Sequence, residues 1–184
     1  MLESIRIAFF RRALRNLLAT QKRHRATHTP ASARNIGLLF DASSEQFRRE
    51  ALEYGKKLEK SGKKVQLLGF FNTKQPPTDA GFDFFTLKEL NWWTFLPVKS
   101  EKAMAFAKEK FDLLVCLNPE NRPALEWIAV SSPAAMKIGP ANELPNDFDL
   151  QLDIPQGKGP QYFTEQMHQY LAKIVLTNGS SKAS

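Results

Sequence analysis

Apolar residues along this chain fall into short unbroken runs, separated by stretches where they recur every three or four positions. Leu113 to Leu117 is such a run, closed by Asn118-Pro119. Its length suits a strand, and a strand apolar on both faces belongs in a parallel sheet covered by helices on both sides. Ile36–Phe40 and Val65–Phe71 read the same way. Between them Phe47, Ala51, Tyr54 and Leu58 recur at helical spacing. Ser43 and Gln46 have the capping-box separation ahead of that helix, and Gly62 stands where its carboxyl cap is expected. The three segments make a β-α-β unit long enough for a right-handed crossover.

The rest of the chain continues the alternation. A third strand is expected near Phe84–Leu87, then an irregular stretch over Leu90–Pro97. Phe82, Phe84, Phe85, Trp92, Trp93 and Phe95 make this region aromatic. Exposed, such rings would stack on bases or sugars; packed, they close one end of the sheet, which is how aromatics are more often used. Ser100 heads a helix with Ala103, Met104, Phe106 and Ala107, and Asn121 with Pro123 starts another. Ala135–Ile138 is a short fifth strand. Phe148, Leu150, Leu152 and Ile154 alternate with polar residues, a period of two that marks an edge strand with one solvated face. Pro160 opens the last helix, with Phe163, Met167, Leu171 and Ile174 at core spacing. The fold expected is α/β: a three-layer Rossmann-like domain over residues 35–176 with a mostly parallel five- or six-stranded sheet, and residues 177–184 as a disordered tail.

Ahead of this domain the pattern changes. Over residues 1–25, Leu2, Ile5, Phe9, Phe10, Ala13, Leu14 and Leu17 share one broad side of a helical wheel, with Arg6 the misfit among them. Arg11, Arg12, Arg15 and Lys22 cluster on the other. Residues 26–34, with Pro30, read as a linker. Charge sharpens the contrast. The chain of 184 residues carries a formal +7. Residues 1–34 hold eight Lys/Arg against one acid, Glu3, so all of that charge lies there and the remainder is neutral. This is a neutral domain behind a cationic amphipathic helix. The helix lacks an apolar run of the ~20 residues a bilayer span needs, and its arginines interrupt any secretory-signal core. It can lie on an anionic membrane, follow a nucleic-acid backbone, or act as a transit peptide. Alternatively it docks its apolar side on its own domain or on a protein partner.

Candidate chemistry is sparse. Asp41-Ala-Ser-Ser after the first strand is neither a dinucleotide fingerprint nor a phosphate-binding Gly-rich loop. Cys116, the one cysteine, lies inside the buried run, where a thiol is usually inert. Two histidines, His24 and His28, fall in the basic segment and His168 in the last helix. No cluster has metal-ligand spacing, and no cofactor is implied. At the carboxyl ends of strands stand Asp41, Ser43, Ser44, Asn72, Asn118 and Glu120, where open α/β sheets bind ligands. Capping and turn formation account equally well for Ser43 and for Asn118-Pro119-Glu120.

Ile36-Gly-Leu-Leu-Phe-Asp41, Phe84-Phe-Thr-Leu-Lys-Glu-Leu-Asn-Trp92, Phe111-Asp-Leu-Leu-Val115 and Met136-Lys-Ile-Gly139 together resemble an uncharacterised family of Bacteroidota proteins, one of the domains of unknown function. The resemblance covers roughly residues 34–176 and brings no catalytic motif. It implies a compact cytoplasmic α/β domain of bacterial origin, against the transit-peptide reading. Phe111-Asp-Leu-Leu and Ala135-Met-Lys-Ile-Gly139 are also similar to the amino-terminal half of heptosyltransferase-like glycosyltransferases. Those enzymes hold the sugar nucleotide in a second half, for which this chain is too short, so that likeness implies a binding or adaptor role.

Three functional expectations follow. The first is a non-enzymatic binding module attached to the inner face of the membrane. Phe9, Phe10, Leu14 and Leu17 would insert while Arg11, Arg12, Arg15, Lys22 and Arg23 meet headgroups. The second directs the same arm to RNA or the ribosome. The third is a small enzyme or ligand binder using Asp41, Ser43, Ser44, Asn118 and Glu120.

Overall fold

In the computed structural model, which describes residues 2–180 except 74, 92, 97, 98 and 119–121, every apolar run named above becomes a strand. β1 (Asn35–Asp41), β2 (Lys64–Phe71), β3 (Asp83–Thr86), β4 (Leu113–Leu117), β5 (Met136–Pro140) and β6 (Leu150–Leu152) form one sheet. The order is β3-β2-β1-β4-β5-β6 and every neighbouring pair is parallel. This is the doubly wound, Rossmann-like arrangement, with β6 at one edge as its alternation requires. β4 lies between β1 and β5, its Leu113 level with Ile36 on one side and Met136 on the other.

The period of two along β4 explains its apolar composition. Leu113, Val115 and Leu117 face a core shared with α2 (Glu45–Lys60) and α5 (Pro160–Ser180). Leu114 and Cys116 face a second core with α3 (Glu101–Lys108) and α4 (Pro123–Ser131). Both faces are covered, which is the physical reason a parallel strand can be apolar throughout. Gly62 closes α2 in the left-handed region at φ +81°, with its N–H on the Glu59 carbonyl. α5 runs to Ser180, so residues 177–180 continue the helix instead of forming a tail. The tail's remainder, 181–184, lies outside the described residues, as do Trp92, Pro97 and residues 119–121, where a turn is expected.

α1 (Leu2–Thr20) ends five residues earlier than expected. Its apolar side is not free. Phe10 and Leu14 are wholly buried against Val130 of α4 and Leu144, with Leu17, Leu18, Phe95 and Trp127 around them. Phe10, Leu14 and Leu17 are therefore committed to intramolecular packing and do not form an inserting face; only Phe9 of the four is outward. The reason is simple: the outer side of α4 is itself apolar at Trp127 and Val130, and α1 removes both surfaces from water.

The segment after α1 is stitched down, not slack. Gln21 donates to the Ser132 carbonyl at 2.9 Å, and the Ala26 N–H reaches the Ala135 carbonyl. Arg23, expected on an anionic surface, is instead 3% exposed. Its Nε meets Asp147 at 2.8 Å, Nη2 meets the Asp149 carboxylate at 2.8 Å, and Nη1 donates to the Ala134 and Ala135 carbonyls. Lys137 of β5, also buried, donates through Nζ to both Asp147 oxygens at 2.9 and 3.0 Å and to the Val130 carbonyl. Burial pulls the Lys137 ammonium down to about 8, and Asp147 opposes that pull. Two cations and two carboxylates thus neutralise one another, the cations under cover and Asp149 at the surface, where Arg25 also touches it.

Removing one member of a buried charge set strands the others. Arg23→Met should lower unfolding free energy by about 3–5 kcal/mol. Arg25→Ala, at a side chain 60% exposed, should cost less than about 1 kcal/mol. Urea midpoints of the two variants check this, and equal losses would contradict it.

Candidate functional site

The chain leaves β1 through α2 toward β2 and returns through α3 to β4 on the opposite side. The switch point of the sheet is therefore between the carboxyl ends of β1 and β4. Asp41 ends β1 there. Its Oδ1 accepts the Ser43 N–H at 2.8 Å, and its Oδ2 accepts Arg122 Nε–H at 2.6 Å. Ser44, not Ser43, is the cap of α2, its Oγ accepting the Phe47 N–H. Ser43 does different work: its Oγ accepts the Asn72 N–H at 2.8 Å and ties the ends of β1 and β2 together. Arg48 covers the Ala42 carbonyl. Donors that a phosphate would use at the start of α2 are thus partly taken by the chain's own oxygens. Asn118 is buried at the end of β4, and its Oδ1 has no partner among the described residues. Glu120 lies outside the described residues.

What opens at this end is a cavity of about 380 Å³, within the size range of small-molecule sites. Phe70 and Asn72 from the end of β2, and Arg122 with Pro123 and Ala124 at the start of α4, form one side. Leu87 and Leu90 from the segment after β3 form another, and Phe95 and Leu144 complete the apolar wall. α1 contributes Ile7, Arg11 and, as an acid, Glu3. Since Gln21 bonds to Ser132 at the far end of α4, α1 and α4 run side by side in the same direction, which carries Arg11 toward Arg122. Arg11 reaches Glu143 only at 3.7 Å, and its buried Nε has no hydrogen-bond partner among the described residues. Phe95 takes a left-handed φ of 57°, costly for a side chain with a Cβ. Arg6 lies 4.0 Å over its ring and Phe10 meets it edge-on, holding it in place.

Of the residues the sequence offers at the strand ends, Asn72 lines this cavity and Asp41 stands behind it, bonded to Arg122; the Ser43 and Ser44 hydroxyls bond to backbone N–H groups. Arg11, expected to face an anionic surface, faces the cavity. Arg122 had no local signal beyond preceding a helix-starting proline, because its partner is remote in the chain. A larger recess of about 560 Å³ lies beside Val65–Leu67 and α3. Two of its charged groups, Asp83 and Lys102, satisfy each other at 2.8 Å, so it offers less convergent chemistry.

Among the described residues, neither the cysteine nor His168 lines this cavity. Cys116 is fully buried and burial pushes its thiol well up. His168 sits between α2 and α5, 3.2 Å from the Tyr54 hydroxyl. Among the described residues no group of three or more His, Cys, Asp or Glu could hold a metal ion. One acid is unusual. Glu126, in the first turn of α4, is 3% exposed. Asn142 donates to its Oε2 at 3.3 Å and its Oε1 has no partner among the described residues. Burial raises this carboxyl from 4.5 to about 7.

A family model described as a family of unknown function, DUF6913, matches residues 6–174. The chain belongs to this family, and the matched span takes in most of α1 as well as the sheet. Neither a curated protein nor a solved structure matches the chain.

The raised carboxyl has a measurable consequence. Native Glu126 keeps its proton up to about pH 7, whereas the unfolded chain ionises near 4.5. The native state therefore binds more protons in that window, and stability falls as pH rises through it. Glu126→Gln removes the loss. Relative to the wild type it should gain up to about 3 kcal/mol on going from pH 5 to pH 8, read from paired urea melts. Parallel pH profiles would contradict the assignment.

Proposed function

We propose that this protein is a non-catalytic α/β binding module that holds a small anionic molecule in the strand-end cavity, with α1 as its outer wall. One observation carries the reading. Two guanidinium groups from distant segments, Arg11 and Arg122, line one otherwise mainly apolar cavity at the switch point of a parallel sheet. The Asp41 carboxylate fixes Arg122 through Nε, so the side chain is oriented before a ligand arrives, which lowers the ordering cost of binding. Apolar walls exclude water and strengthen each charge-assisted hydrogen bond. The occupant is a molecule with one carboxylate or phosphate and an apolar body that lies against Phe70, Leu87, Leu90 and Phe95.

Binding is measured with the anionic aromatic probe 1-anilinonaphthalene-8-sulfonate, displaced by octanoate or by octyl phosphate to identify the preferred headgroup. Each hydrogen bond to a charged group is worth about 1.5–3 kcal/mol, so Arg11→Gln should weaken binding by about ten-fold or more. Arg122→Gln alone would strand Asp41, so it is paired with Asp41→Asn; that double variant should melt cooperatively and lose affinity comparably. Unchanged affinity in both would refute the site.

A further inference from the structure

We propose that the outer face of α1, together with the turn around Trp93, seats the protein on an anionic phospholipid surface. This face is opposite the side that packs on α4. Among the described residues the exposed large apolar side chains include Ile5 at 46%, Phe9 at 57% and Trp93 at 49%. Ile5 and Phe9 are one helical turn apart. Arg12, three residues beyond Phe9, shares their side of the helix and Arg15 adjoins it; both are exposed. Trp93 is two residues before Phe95, the ring that Phe10 and Arg6 of α1 contact. The three apolar groups therefore belong to one end of the molecule.

Charge decides what such a face meets. Residues 1–34 carry eight cations and one acid. Arg23 is spent inside the fold, Arg11 lines the cavity, Arg6 lies over the Phe95 ring and Arg25 pairs with Asp149; of the remaining four, Arg12, Arg15 and Lys22 lie on or just after α1 and are exposed, as is Arg34 further on. Apolar tips beside arginines, with a tryptophan at their border, suit the headgroup region of an anionic bilayer: rings enter the interface while guanidinium groups stay with phosphates. A nucleic-acid backbone would use the cations but give no reason for Ile5, Phe9 and Trp93 to stand in water. No helix among the described residues is long and apolar enough to cross a membrane, and the contact proposed is a shallow one. It differs from insertion of the whole apolar side of the helix, because Phe10 and Leu14 remain packed on α4.

The full chain is sedimented with vesicles of phosphatidylcholine alone and of phosphatidylcholine with phosphatidylserine. Wild type should pellet with the second and stay in solution with the first. Ile5→Ser with Phe9→Ser should reduce binding at least ten-fold, as should Arg12→Gln with Arg15→Gln. All four positions are exposed, so urea midpoints should stay at the wild-type value. Failure of the wild type to pellet with anionic vesicles would overturn the proposal. So would arginine-dependent binding that the serine pair leaves intact, particularly if ribosomes compete for it, since that is the behaviour of a polyanion contact. The cavity residues Arg11 and Arg122 are untouched in these variants, so a failed ligand assay and a failed vesicle assay remain separable.

Discussion

A guanidinium with almost no solvent exposure cannot be left unpaired, and Arg23 is the point on which this structure turns. Its five donors are directed to Asp147, Asp149 and the carbonyls at the start of β5. Lys137 supplies the second cation from the strand itself. Desolvating the two cations is costly, and the set is tolerable only because each donor finds a carboxylate or carbonyl oxygen. The consequence reaches beyond local stability. Arg23 follows α1 by three residues, so fixing it fixes where the helix ends and hence which of its sides lies on α4.

With α1 held in that position, the carboxyl end of the sheet acquires its character. A bare doubly wound sheet would present an open crevice between β1 and β4. Here the Asp41–Arg122 pair fills the switch point, Ser43 and Ser44 are occupied by the backbone, and the open volume is displaced toward β2, Phe95 and α1. The same helix that walls the cavity turns Ile5, Phe9, Arg12 and Arg15 outward. One amphipathic helix thus has two differently disposed sides, and its division into an inner and an outer side follows from packing and not from its composition.

Local patterns made much of this legible in advance. The unbroken run of β4, the alternation of β6 and the glycine closing α2 each depend on residues within a few positions, and each appears where periodicity places it. The capping serine was misread by one position because Ser43 and Ser44 are adjacent and only the turn made by Asp41 decides between them. Phe10 and Leu14 are apolar on a helix in either reading; what separates core from membrane face is the apolar outer side of α4, more than a hundred residues away. Arg23 and Arg122 were opaque for the same reason, since a sequence shows a cation but not the remote carboxylate that buries it. The carboxyl ends of the strands, beside which the cavity opens, were legible, and the arginines that line it were not recognised as neighbours.

The central claim is that α1 is part of the folded unit. Hydrogen exchange of the full chain, followed peptide by peptide as denaturant is added, tests it most directly. The account predicts that amides of Arg11–Leu18 are protected in the native state and lose protection together with those of β4. Near-unprotected exchange through α1 while β4 stays closed would show the helix to be an independent arm, and the account would be wrong.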